Sequence, residues 1–301
     1  MDFEKYFDKV YSDFDKWVAV PVILFLLSVG VLGFNYAIQG QIVKKGLDFT
    51  GGTEVQFHVD GDFRTQDIKQ LFASNGFPGS EAVRQSTQNE TALVVRVPPP
   101  PLNETQAQNI MENGGYSVSV ESIRSISAAV SGQFFQQAVL AFVMAFTIMS
   151  LTIFIAFRDA VPSGAVIAAA LGDITFALAG MSLLGIPLTL GSLAALLMLI
   201  GYSVDTDILL STRVLKRSRK PLKKRVWGSV KTGVTMSSGG IAGFTILYIV
   251  SMMIVGPSDL SDIAAVMVMG LLADMPFTWF GNAVVLKKYV NGELNFEVFN
   301  R

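Results

Sequence analysis

Six stretches of this chain are apolar for long enough to cross a membrane: Trp17–Ile38, Phe134–Phe157, Ala160–Leu184, Leu188–Ser211, Gly233–Val255 and Ile263–Leu286. A hydrocarbon core of about 30 Å needs roughly 20 such residues at a helical rise of about 1.5 Å each. Lipid offers no hydrogen bonds, so each stretch must pair its own backbone groups as a helix. The expected fold is therefore an α-helical membrane protein built on a six-transmembrane-helix bundle. The chain is 51% hydrophobic and 16% charged, outside the usual range of soluble domains. The first stretch is too long for the core of a cleaved signal and reads as an uncleaved span.

The breaks between spans set the organisation. Residues 1–16 form an N-terminal segment and 17–38 form span 1. A polar segment covers 39–133, and spans 2–6 lie within 134–286. A basic loop, 212–232, separates spans 4 and 5, and 287–301 form a tail. Lys and Arg collect on one side of this arrangement: Lys5, Lys9, Lys16, Arg158, Lys287, Lys288, Arg301, and nine residues from Arg213 to Lys231. The two short loops on the other side have none. The positive-inside rule then predicts cytoplasmic termini and an extracytoplasmic 39–133 segment. It also predicts that the basic loop lies on membrane lipid headgroups, with a short interfacial helix around Val226-Trp227-Gly228.

Several function classes drop out. The net charge is −1, which gives no field for nucleic acid. There is no Cys, hence no disulfide, thiol catalysis or Cys-ligated metal. The single His, His58, falls in the outer segment and reads as a surface strand residue. Gly51-Gly52 lacks the Gly-Lys-Ser/Thr of a phosphate loop. No cofactor and no metal site is expected.

What remains is charge inside the spans. A carboxylate at mid-helix costs about 2.5–3.5 kcal/mol on insertion scales, so intramembrane ionisable residues mark functional sites by default. They are Asp173, Asp205, Asp207, Lys231 and Asp274. Asp205 and Asp207 point in nearly opposite directions on a helix. Gly201 and Asp205 share one face, Ser203, Asp207 and Ser211 a second, Tyr202 and Thr206 a third. Lys231, at the entry to span 5, is the candidate cation for Asp205, which is the first candidate for a titrating relay residue, with Asp207 the open alternative. Asp274, two residues before Pro276, is expected to mark a bend in span 6. Gly164-Ala165 with Ala168–Ala170, and Gly239, Gly240 and Gly243, are candidates for close helix approach.

The outer segment alternates like strands at Thr53–Val59, Glu81–Ser86, Thr91–Val97 and Tyr116–Ile123, with a turn at Gln88–Glu90. Helical spacing covers Thr65–Asn75 and Asn103–Glu112. The order βαββαβ predicts one α+β ferredoxin-like domain. Asn89 and Asn103 head acceptor sequons there.

Two motifs carry a family resemblance. Gly46-Leu47-Asp48-Phe49-Thr50-Gly51-Gly52-Thr53 follows span 1, and Gly201-Tyr202-Ser203-Val204-Asp205-Thr206-Asp207 ends span 4. With six spans and one large domain between the first two, the chain resembles SecF, the smaller partner of SecD in the SecD/SecF protein-export family, of archaeal type. The resemblance implies a bundle of resistance–nodulation–division type and an accessory role in the Sec translocase, powered by the proton gradient. It implies a SecD-like six-span partner, the Sec channel and translocating polypeptide as contacts, and no catalysis. Bacterial members commonly have Asn-Asp where this chain has Asp205-Thr206, and Arg where it has Lys231. Asp173 matches a family aspartate. The alternatives are a small-molecule or lipid exporter of the same superfamily and, more remotely, an intramembrane aspartyl protease.

Overall fold

Each interruption of the apolar pattern has a local cause. We describe the protein from a computed structural model, which covers residues 7, 10–86, 91–216 and 220–294. Lys5, Lys9, Arg217, Arg219, Arg301 and the Gln88–Glu90 turn with its Asn89 sequon lie outside the described residues. Spans 1 to 6 are the helices Phe14–Gln39, Ala128–Phe157, Ala160–Leu184, Leu190–Leu215, Leu222–Ile254 and Asp259–Val290. Span 3 stops at Gly185, whose φ of 70° is left-handed. Span 4 starts at Thr189, whose hydroxyl accepts the Ser192 N–H at 3.1 Å, and Ser258 caps span 6 in the same way.

Spans 3, 4 and 6 bury 50%, 50% and 56% of their most apolar windows, whereas spans 1, 2 and 5 bury only 11% each. The first three are therefore the core, and the others lie against it with broad apolar flanks. Side chains as small as hydrogen bring the core helices together. The Phe277 ring sits against Gly172, Leu199 against Gly270, and Trp279 against Gly233. A Cβ on Gly164, Gly239 or Gly243 would meet nothing within 4 Å, whereas one on Gly240 would stand 3.0 Å from Leu271 Cδ1, so of these four only Gly240 marks a close approach within this chain.

One expectation about the helices is corrected. Val226-Trp227-Gly228 is not a separate interfacial helix: span 5 begins at Leu222 and runs unbroken through it. Val226, Ser229 and Gly233 fall on one buried stripe, and the packing of Val226 and Gly233 against Trp279 extends the helix. At Pro276, two residues after Asp274, the winding of span 6 changes: the following six residues, Phe277–Asn282, form a π-helix.

The outer segment is a four-stranded antiparallel sheet: β1 (Gly52–Asp60), β2 (Glu81–Ser86), β3 (Thr91–Val97) and β4 (Ser117–Ile126), in the order β2-β3-β1-β4. Helices α1 (Thr65–Ser74) and α2 (Glu104–Asn113) complete the βαββαβ chain order. Alternation puts Val55, Phe57 and Val59 on one face, where they pack with Ile68, Phe72, Leu93 and Met111. Asn103 caps α2 in a capping box with Gln106. His58 is half-buried on β1, 3.8 Å from Glu121.

Candidate functional site

Span 4 alone cannot satisfy its polar residues, and the neighbouring spans complete them. Asp173, Asp207 and Asp274 are all fully buried in the core. Ser203 of span 4 donates to Asp173 Oδ2 of span 3. One turn on, Thr206 Oγ1 lies 2.7 Å from the Ser203 carbonyl and 3.0 and 3.1 Å from the two Asp274 carboxyl oxygens. Ser237 of span 5 donates to Asp274 Oδ2 at 3.2 Å. Thr278 Oγ1 stands between two carboxyls, 3.0 Å from Asp274 Oδ1 and 2.9 Å from Asp207 Oδ1. Asn282 Nδ2 donates to Asp207 Oδ1 at 2.7 Å. The result is a continuous polar chain through the middle of the bundle, drawn from spans 3, 4, 5 and 6.

The π-helical turn supplies this geometry. Asp274, Thr278 and Asn282 recur every four residues, and the wide turn keeps Thr278 and Asn282 on the face toward Asp207. Asp173 Oδ1, Asp207 Oδ2, Ser211 Oγ and Asn282 Oδ1 are buried without a protein partner. Among the described residues no Lys, Arg or His lies beside any of the three carboxyls; their neighbours are one another and hydroxyl or amide groups.

The five charged residues of the spans therefore divide. The structure brings Asp173, Asp207 and Asp274 together. It leaves Asp205 and Lys231 exposed on the outside of the bundle, and among the described residues no ion pair or hydrogen bond joins them. The expected Asp205–Lys231 pair is absent because the face of span 4 with Ser203, Asp207 and Ser211 turns inward, and the face with Gly201 and Asp205 turns outward. Tyr202 is also exposed and meets Phe244 edge-on at 6.3 Å. Thr278, Asn282 and Ser237 were missed as site residues. The first two carried a legible signal, a polar stripe at every fourth position after Asp274 in an otherwise apolar span.

The first motif lies elsewhere. Gly46, Asp48, Phe49, Gly51, Gly52 and Thr53 are buried at the junction of the outer domain with the bundle, Leu47 is half-buried and Thr50 exposed. Leu47–Thr50 forms one helical turn.

Comparison with known proteins gives a consistent picture. The family described as "Protein export membrane protein SecD/SecF, C-terminal" matches residues 106–292. The chain is 37% identical over 284 residues to "Protein-export membrane protein SecF" of Methanothermobacter thermautotrophicus, covering 94% of this chain and 95% of that one. It is 36% identical over 282 residues to the protein of the same name from Methanocaldococcus jannaschii, covering 93% and 96%. Among solved structures, SecDF of Thermus thermophilus, described as a translocon-associated membrane protein, aligns over 97% of this chain with a TM-score of 0.73. At 21% identity that likeness speaks for the fold, and this chain spans only 39% of that structure's length.

Proposed function

The chain belongs to the SecD/SecF family of protein-export membrane proteins, and from that premise we propose that it is the smaller accessory subunit of a Sec translocase, coupling a proton gradient to the outward movement of polypeptide. It is a multi-pass membrane protein. In this reading it sits in the cytoplasmic membrane with both termini inside and the ferredoxin-like domain outside, in keeping with the one-sided distribution of Lys and Arg. Its role is mechanical, not enzymatic.

The observation that carries the proton reading is Thr278. Its hydroxyl has one proton, yet it lies within hydrogen-bond distance of a carboxyl oxygen of both Asp207 and Asp274. Thr278 donates to one of them. The other contact is a hydrogen bond only when that carboxyl carries a proton and donates it. Thr206 repeats the logic, with one proton and three acceptors in reach. Three buried carboxyls with no described cation are neutral only when protonated, and burying unpaired charge is costly. Loss or gain of a proton changes which hydroxyl donates to which carboxyl, and so changes the contacts between spans 4 and 6. One charge crossing 100 mV contributes about 2.3 kcal/mol, enough to bias a two-state bundle.

The partner follows from what the single chain leaves open. Asp205 and Lys231 are exposed on spans, and a carboxylate facing lipid is unfavourable by about 2.5–3.5 kcal/mol. A second, SecD-like six-span chain would cover that face. The test is purification in mild detergent from native membranes, together with export of a secreted reporter from vesicles with an imposed proton gradient. A co-purifying six-span protein and gradient-dependent export are expected. Recovery of this chain alone, or export indifferent to the gradient in vesicles lacking it, would overturn the reading.

A further inference from the structure

The motif Gly46–Thr53 takes no part in the carboxylate cluster. It closes the outer domain onto the bundle, packing on the start of span 2 and hydrogen-bonding to the connection before span 4 and to that span's first turn. Lys44 and Gly46 pair with the connection between spans 3 and 4: Leu188 N–H donates to the Lys44 carbonyl and Gly46 N–H to the Leu188 carbonyl, both at 2.7 Å. Gly46 is obligatory at this approach, because a Cβ would stand 2.6 Å from Thr189 Cγ2 and 3.0 Å from the Leu188 carbonyl oxygen. On the other side Gly51, at φ 73°, lies against Ala128 at the start of span 2, where a Cβ would be 3.0 Å from its backbone. Phe49 meets Phe135 of span 2 edge-on at 5.7 Å.

Asp48 is the centre of this joint. It is 4% exposed, and its two carboxyl oxygens serve two different bodies. Oδ1 accepts from Arg124 Nη2 of β4, an edge strand of the outer domain, at 2.6 Å. Oδ2 accepts from the backbone N–H of Leu190, the first residue of span 4, at 2.9 Å. That N–H has no partner within its own helix, and the positive end of the helix dipole favours a carboxylate there.

We propose that Asp48 is a positioning residue that locks the outer domain to span 4, so that the two move as one body. Seventeen residues, or about 25 Å of helix, separate Leu190 from Asp207 on that span. A displacement of the domain therefore has, beside its packing on span 2, a direct route along span 4 to Asp207. The joint stands on its own geometry; its mechanical use rests on the function proposed above. An amide at position 48 has one acceptor oxygen in place of two. It can keep the span 4 bond or the Arg124 bond, and it turns an NH2 toward the other donor.

The chain has no Cys, so paired nitroxide labels can be placed on Lys69→Cys in the outer domain and Leu183→Cys at the domain end of span 3. Electron–electron double resonance on the whole chain in lipid nanodiscs then reads the distance distribution. We expect one narrow distribution for the parent. Asp48→Asn and Arg124→Gln should each broaden it about twofold or split it, and Arg124→Lys should restore most of the narrow form. Arg124 is largely exposed, so its replacement tests the joint without endangering the fold. An unchanged distribution in Arg124→Gln would show that Asp48 is only a helix cap and overturn the joint. Broadened distances with full gradient-dependent export in Asp48→Asn would overturn the coupling. Export that ignores the gradient in the parent itself would instead remove the proposed function and leave the joint standing.

Discussion

Asn282 of span 6 donates a 2.7 Å hydrogen bond to the same Asp207 oxygen, Oδ1, that Thr278 approaches at 2.9 Å. Both contacts crowd one side of the carboxyl and leave Oδ2 buried without a protein partner. In the proposed relay the bonded oxygen anchors the carboxyl and the other exchanges the proton, an arrangement that Asp173 shares through Ser203. Asp207 is set apart by its link through Thr278 to Asp274.

The first prediction compares the two aspartates of span 4. Asp207→Asn keeps size and can still accept from Asn282, but it cannot release a proton. It should insert, bind its partner and reduce reporter export to the level measured without a gradient. Asp205→Asn, on the outer face, should retain gradient-dependent export and weaken recovery of the six-span partner. The opposite pattern, measured at matched protein levels, would return the relay to Asp205.

Thr278→Val removes a hydroxyl at nearly constant shape. Both Asp207 and Asp274 lose a contact, at a cost of about 1–3 kcal/mol for buried polar groups left unpaired. Thermal unfolding in detergent should show the loss. Thr278→Ser, which keeps the hydroxyl, should recover export better than Thr278→Val. Equal export by the two variants would remove the hydroxyl bridge from the mechanism.

Gly233 lies against the Trp279 indole, where a Cβ would clash with Cζ2. Gly233→Ala should force the indole aside and destabilise the bundle by about 1–3 kcal/mol through overpacking. Trp279 sits in the cluster that also holds Phe14, Leu210 and Val226, so its fluorescence should shift toward that of a wetter indole. An unmoved spectrum and midpoint would mean that spans 5 and 6 do not meet here.

The outer domain has its own core of fully buried side chains, Phe57, Ile68, Phe72, Leu93 and Met111 among them. Residues 52–126 expressed alone should be soluble and unfold cooperatively. Phe57→Ala in that fragment should cost about 3–5 kcal/mol, close to the whole stability of a domain this small. A fragment whose urea midpoint does not respond to Phe57→Ala would show that the core forms only on the bundle.

The sequence alone determined the spans, the βαββαβ order and which spans carry charged residues, because each is written in the local order of residues. Twenty apolar residues specify a helix in lipid whatever surrounds them, and alternation at Val55, Phe57 and Val59 specifies a strand with one buried face. It also separated Asp205 from Asp207 onto opposite faces of one helix. Only the tertiary structure decided which face turns inward, because that depends on partners far along the chain: Asp173, Asp274, Thr278 and Asn282 for span 4, and Trp279 for the start of span 5. The pairing of Asp48 with Arg124 and with the Leu190 N–H is of the same kind, 76 and 142 residues apart. A buried carboxyl takes its role from the donors around it, and packing of distant helices, not the local period, brings those donors within reach.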